Sequence, residues 1–172
     1  MQALEVAKYF VELHRNVIDT IQNDDTIFEN EPITHLKIQK LLYYAQGLGL
    51  VYLNKPLFSE KIEAWKHGPV VREVYEALRE YGKRDLQDVL KYENTLNVEE
   101  QSIVEMAFRE YGRYTASYLR NKTHAEPLWK NAYKDKNNII SEEAMRDFFK
   151  KEQRRKAEIL YLSSKEYRCL FN

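Results

Sequence analysis

The sequence has a single cysteine, Cys169, only five glycines and four prolines, and no excess of either charge. One cysteine excludes an intramolecular disulfide framework and any Cys-based zinc finger. Glycine and proline together fall well below the roughly 12% of average usage. That scarcity disfavours small all-β folds and Gly-rich phosphate loops, and it favours helices. Lys plus Arg number 27, and so do Asp plus Glu, so no dominant positive field exists for nucleic acid or an anionic membrane. The longest uncharged stretch, Leu41–Asn54, is too short and too rich in Tyr, Gln and Gly to span a bilayer. Glu5 and Lys8 interrupt the N-terminus, so no signal peptide is expected and the expected location is cytoplasmic.

Chemical signatures are equally scarce. His14, His35, His67 and His124 stand apart, with no two at metal-ligand spacing and no H-E-x-x-H. No G-x-S-x-G, Walker or dinucleotide-binding glycine pattern occurs. No catalytic residue, metal site or cofactor is therefore expected.

What remains is a chain of 172 residues, 44% of them hydrophobic, enough for one domain over residues 1–172 that buries about 70% of its unfolded surface. The expected fold is mainly α, a compact single-domain bundle of about six to eight helices. Ala3, Val6, Phe10, Leu13, Val17 and Ile21 recur at steps of three and four, which is one face of a helix. Residues 19–31 form an acidic connector. Thr34 caps the next helix, with Ile33 and Ile38 as a hydrophobic staple, and Asn54 ends it before Pro56. Gly47 and Gly49 inside that helix suit close approach of another backbone. The alternation over 61–66 predicts a short strand or small sheet. Gly68-Pro69 then reads as the start of a helix carrying Val71, Val74, Tyr75 and Leu78, closed by Gly82. Asn97 with Glu100 forms a capping box for a helix that Gly112 ends. A shorter helix starts at Thr115, and Thr123 to Trp129 reads as an irregular turn into another. Ser141 caps a last helix over about 142–162, with Phe148, Phe149, Ile159, Leu160 and Leu162 as its apolar residues.

Two segments combine histidine, tryptophan and proline. Trp65-Lys66-His67-Gly68-Pro69-Val70 places a lysine and a histidine beside what reads as the first turn of a helix, whose free amides suit an anion or a partner carboxylate. The plainer reading is a shaped turn with Trp65 in the core. His124 and Trp129 pose the same choice between a shared site and local caps. Both segments start helices on this reading, so they are expected to lie side by side. Thirteen tyrosines serve a core and its edge, and they also suit a protein interface. The basic run Lys150-Lys151-Glu152-Gln153-Arg154-Arg155-Lys156 reads as a solvated helix face. Nucleic-acid contact is its sharper alternative.

The stretch Leu36-Lys37-Ile38-Gln39-Lys40-Leu41-Leu42-Tyr43-Tyr44-Ala45-Gln46-Gly47 resembles the opening signature of the Panacea domain, the phage-associated, SocA-like antitoxin family. Pro56-Leu57-Phe58, then Ile62-Glu63-Ala64-Trp65-Lys66-His67-Gly68-Pro69-Val70-Val71, follow in the family's order. Thr123-His124 with Pro127 and Trp129 resembles its C-terminal element, although Leu128 separates a proline and tryptophan that are commonly adjacent. The motif core runs over about 33–131. The resemblance implies a helical antitoxin of a toxin–antitoxin module, often prophage-borne. It would bind a cognate toxin protein encoded nearby, in some members to deliver it to an ATP-dependent protease.

The expected function is thus binding, with Trp65, Lys66, His67, Gly68, Pro69, Val70, His124 and Trp129 as the partner-binding residues. Two rivals stay open: an enzyme or small-ligand protein with a site around His67 and His124, and a DNA-binding autoregulator using the basic helix. A homodimer also stays open.

Overall fold

The computed structural model describes residues 2–21 and 32–169, with side chains over 2–17 and 32–160. The acidic connector thus lies largely outside the described residues.

The first helix, α1 (Ala3–Ile21), buries Ala3, Val6 and Phe10 and packs Leu13 and Val17 against the core, as their spacing predicts. The second, α2 (His35–Tyr52), starts where its cap requires. Thr34 is extended, and its Oγ1 accepts the Lys37 N–H at 3.4 Å, while Ile33 and Ile38 are both fully buried as the staple. Every residue of α2 from Lys37 to Leu50 is buried, so the helix is hidden all round, the situation of a central core helix. Its polar residues find backbone partners there. Gln46 Nε2 donates to the Phe58 carbonyl at 2.9 Å, and its Oε1 accepts the Leu57 and Phe58 amides. Gln39 Nε2 likewise donates to the Val71 carbonyl while its Oε1 accepts the Val71 amide. Asn54 ends the helix in the left-handed region, at φ 55°.

A small antiparallel sheet lies beside α2. Its strands are β1 (Ile62–Trp65), β2 (Gly68–Val71) and β3 (Ile139–Ile140), in the order β2-β1-β3. The strand expected at 61–66 is β1. The helix start expected at Gly68-Pro69 is corrected: Trp65 pairs with Gly68 across a Lys66–His67 turn, Ala64 opposes Pro69, and Ile62 opposes Val71. Proline fits an edge strand, where its missing N–H faces away from the ladder, and this cue outweighed its taste for a first helical turn. Burial of Pro69, Val70 and Val71 on both faces also suits a strand and not a helix stripe.

Helix α3 (Arg72–Leu78) follows directly, then two short 3₁₀ turns, then α4 (Val98–Tyr111). Both bonds of the predicted capping box of α4 are present, each 3.0 Å long. Thr115 caps α5 (Ala116–Ala125), which runs unbroken through Thr123 and His124. Only Glu126 separates it from α6 (Pro127–Lys134). The expected irregular turn over Thr123–Trp129 is therefore a single-residue break.

Ser141 caps α7 (Glu142–Cys169) through its Oγ, and Ile140 and Met145 are the buried staple. Helix α7 crosses α2 at Gly47, where a Cβ would stand 2.3 Å from the Phe149 ring. Ile159 and Leu160, expected as its apolar face, are instead 53% and 71% exposed. Among the described residues the molecule thus comprises seven helices and one three-stranded sheet. Helix α2 is central, packed against α1, α4, α5, α7 and β2. No helix among the described residues is long and apolar enough to cross a membrane.

Candidate functional site

The two histidine–tryptophan segments meet. Trp129 Nε1 on α6 donates to the Trp65 carbonyl on β1 at 2.9 Å, across 64 residues of sequence. The indole rings do not stack on each other. Trp65 packs edge-on to Tyr75 at 4.9 Å, lies under the Arg72 guanidinium at 5.1 Å, and donates its Nε1–H to Glu63 at 2.8 Å. Glu63 also accepts two bonds from Arg72, and these hold its carboxyl below the usual range. Trp129 is the middle ring of a stack, with His124 at 3.9 Å on one side and Tyr133 at 4.7 Å on the other.

The expected means of bringing the segments together was different. The first segment presents no helix start, because Gly68–Val71 form a strand. The second does, at Pro127 with Trp129 in the first turn of α6, although His124 itself sits in the last turn of α5. The site is therefore made of side chains, and the anion-holding amides expected at Gly68-Pro69 are absent. Lys66 and His67 are exposed at the hairpin tip, Trp65, His124 and Trp129 are half-buried, and Gly68, Pro69 and Val70 are buried. Val70, Trp65, Lys66 and His67 line one side of a cavity of about 150 Å³, which His35 and Tyr75 help to close.

Two residues not singled out from the sequence organise this region. Lys40 is fully buried, and its Nζ donates to the Pro69 carbonyl at 2.8 Å. Burial, reinforced by the nearby Arg120 charge, pushes its ammonium down to about 7. Gly68 makes the close approach possible. A Cβ on it would stand 2.8 Å from Lys40 Nζ and 3.0 Å from Thr123 Oγ1, and its φ of +102° already favours glycine. Glu126, at the break between α5 and α6, is buried and accepts the Tyr43 hydroxyl at 2.7 Å and the Tyr44 hydroxyl at 3.0 Å. Burial raises its pKa, and the two hydroxyls and Lys122 oppose that rise. Glu126 thereby fixes the α5–α6 junction to α2, and with it the position of His124 and Trp129. Glu126 carried a sequence signal, as a charged residue between Ala125 and Pro127 in a motif; Lys40, between Gln39 and Leu41, carried none.

The polar groups around the junction are under-bonded. His124 Nε2, His35 Nδ1 and Arg120 Nε are buried with no hydrogen-bond partner. The His124 imidazole is disfavoured as a cation by burial first, then by Arg120, Lys40 and His67. His35 is shifted down in the same way by burial and by Lys40.

Comparison with known proteins points the same way as the motifs. The family model for the antitoxin SocA-like, Panacea domain matches residues 38–130. Antitoxin SocA of Caulobacter vibrioides (strain NA1000 / CB15N) is 45% identical over 53 residues, which are 31% of this chain and 28% of that protein. No solved structure matches the chain.

Proposed function

This chain belongs to the SocA-like antitoxin family defined by the Panacea domain, and we propose that it acts by binding a cognate toxin protein directly. The observation that carries this reading is the Trp129–Trp65 contact, which joins two distant motif segments into one aromatic, partly exposed junction. Interfaces between proteins draw their energy from a few central aromatic and Arg anchors, within a patch of about 800 Å² per partner. Trp65 under Arg72, and Trp129 against the 48%-exposed Tyr133, are anchors of that kind. The toxin is the product of a neighbouring gene, and the work is done by association, without a reaction. Handing the bound toxin to an ATP-dependent protease would use the same first step.

Co-expression with the neighbouring gene product, followed by pull-down, tests the reading. The expected result is rescue of growth together with a stoichiometric complex. Rescue without association would overturn it. The toxin's half-life then separates the two modes: it stays constant for occlusion and shortens for delivery to a protease.

A further inference from the structure

The junction holds more positive charge than its neighbours compensate. Buried Lys40 has one acceptor, a backbone carbonyl. The Arg120 guanidinium makes one long bond, from Nη1 to Asn121 Oδ1 at 3.3 Å, and leaves Nε without a partner. His124 Nε2 is unpartnered beside it. Lys66 and His67 stand exposed above, at the hairpin tip.

The nearby carboxylates are committed elsewhere. Glu63 is taken by Arg72 and the Trp65 indole. Glu126 is taken by Tyr43 and Tyr44, with Lys122 at 3.7 Å. A buried cation without a counter-charge is unfavourable, and here four further basic side chains, Arg120, His124, Lys66 and His67, belong to the same junction. In a chain of zero net charge, that is a local imbalance an incoming anion would relieve.

Resting on the toxin-binding reading above, we propose that this junction receives a carboxylate side chain of the toxin. Arg120 and the hairpin-tip pair Lys66 and His67 grip it, and Lys40 supplies positive field from beneath. A planar guanidinium fork suits a carboxylate held through two parallel bonds. Rim charges such as Lys66 and His67 steer an oppositely charged partner and make its association salt-dependent.

Two measurements test the proposal, the first without any toxin. The full chain is titrated with sodium acetate, and separately with inorganic phosphate, at fixed ionic strength, while the imidazole resonances of His67 and His124 are followed. Saturable shifts with acetate that vanish in Arg120→Gln are expected. No shift with acetate, or binding of phosphate at least ten times tighter than acetate, overturns the carboxylate assignment. In the second, toxin affinity is measured for Arg120→Gln and for Lys66→Glu, whose exposed position protects the fold. A tenfold or greater loss is expected, with a weaker salt dependence for Lys66→Glu. Unchanged affinity in both overturns the proposal even if acetate binds, because the anion site is then not a toxin contact. A chain that binds acetate as expected but no toxin at all defeats the functional reading and, with it, the toxin as source of the carboxylate.

Discussion

Lys40 Nζ donates to the carbonyl of Pro69 at 2.8 Å, so a lysine in the centre of the core helix is tied to the edge strand of the sheet. Its ammonium, pushed down to about 7 by burial and by Arg120, makes stability depend on pH. An unfolded chain keeps the Lys40 proton up to about 10.5, whereas the folded protein releases it near 7. Between those values the unfolded state binds more protons, so stability rises with pH. Below 7 the cost of the buried charge is fully present. Lys40→Met should therefore melt above the parent at pH 6, by on the order of 1–4 kcal/mol, with the gap narrowing towards pH 9.5. Thermal melts across that range check this, and a gap independent of pH would contradict it. If Lys40 supplies field for a partner's carboxylate, the same variant should bind toxin more weakly, trading function for stability.

Gly68→Ala should destabilise for two separate reasons. The φ of +102° strains any L side chain, and the new Cβ would meet Lys40 Nζ and Thr123 Oγ1. A loss of about 1–3 kcal/mol is expected from the backbone alone. The double variant Gly68→Ala with Lys40→Ala removes the Lys40 Cε and Nζ contacts and leaves the backbone strain, so it should recover part of the loss. Additive effects in that pair would remove the steric half of the account.

Local signals were the legible part of the fold. Thr34, Asn97, Thr115 and Ser141 each mark a helix start because a cap involves residues only two or three apart. The identity of β2 was less legible, because Gly68-Pro69 satisfies the local rules of both a helix start and an edge strand. Only its pairing with β1 decides between them. The candidate site divides in the same way. Its named residues do converge, but Glu126 takes its partners from 82 and 83 residues away, and no spacing rule reaches that far. Lys40 was hidden for a different reason: a lysine normally marks a solvated face, and this one stands on a helix with none.

Leu41 and Leu42 are both fully buried in α2, on a helix with no exposed side between Lys37 and Leu50. Each Leu→Ala change should cost about 2–5 kcal/mol. Chemical denaturation would read the loss, and a variant within 1 kcal/mol of the parent would displace α2 from the centre of the core.

The basic run of α7 divides by environment. Lys150, Lys151, Arg154 and Arg155 are exposed, whereas Lys156 is half-buried, paired with Glu110 and lying 5.4 Å from the Tyr111 ring centre. Neutralising the four exposed residues together should leave both melting temperature and toxin affinity unchanged. Lys156→Gln alone should lower stability, because it takes the partner from Glu110. Lost toxin binding in the folded fourfold variant would extend the interface onto α7.

The two histidines of the junction should behave differently, because one is exposed and the other is part of a stack. His67 sits at the hairpin tip, so His67→Ala should keep the melting temperature while weakening toxin binding by about tenfold, roughly 1.4 kcal/mol. His124 lies flat on Trp129 at 3.9 Å, so His124→Ala removes packing as well as any contact with a partner, and a lower melting temperature is expected. His124→Phe separates the two roles, since a phenyl ring keeps the stack and loses both ring nitrogens. If His124→Phe melts like the parent but binds toxin as poorly as His124→Ala, the unpartnered Nε2 belongs to the interface. If it restores both stability and binding, His124 serves only to hold Trp129 in place. In that case the histidine contribution to recognition lies in His67 alone.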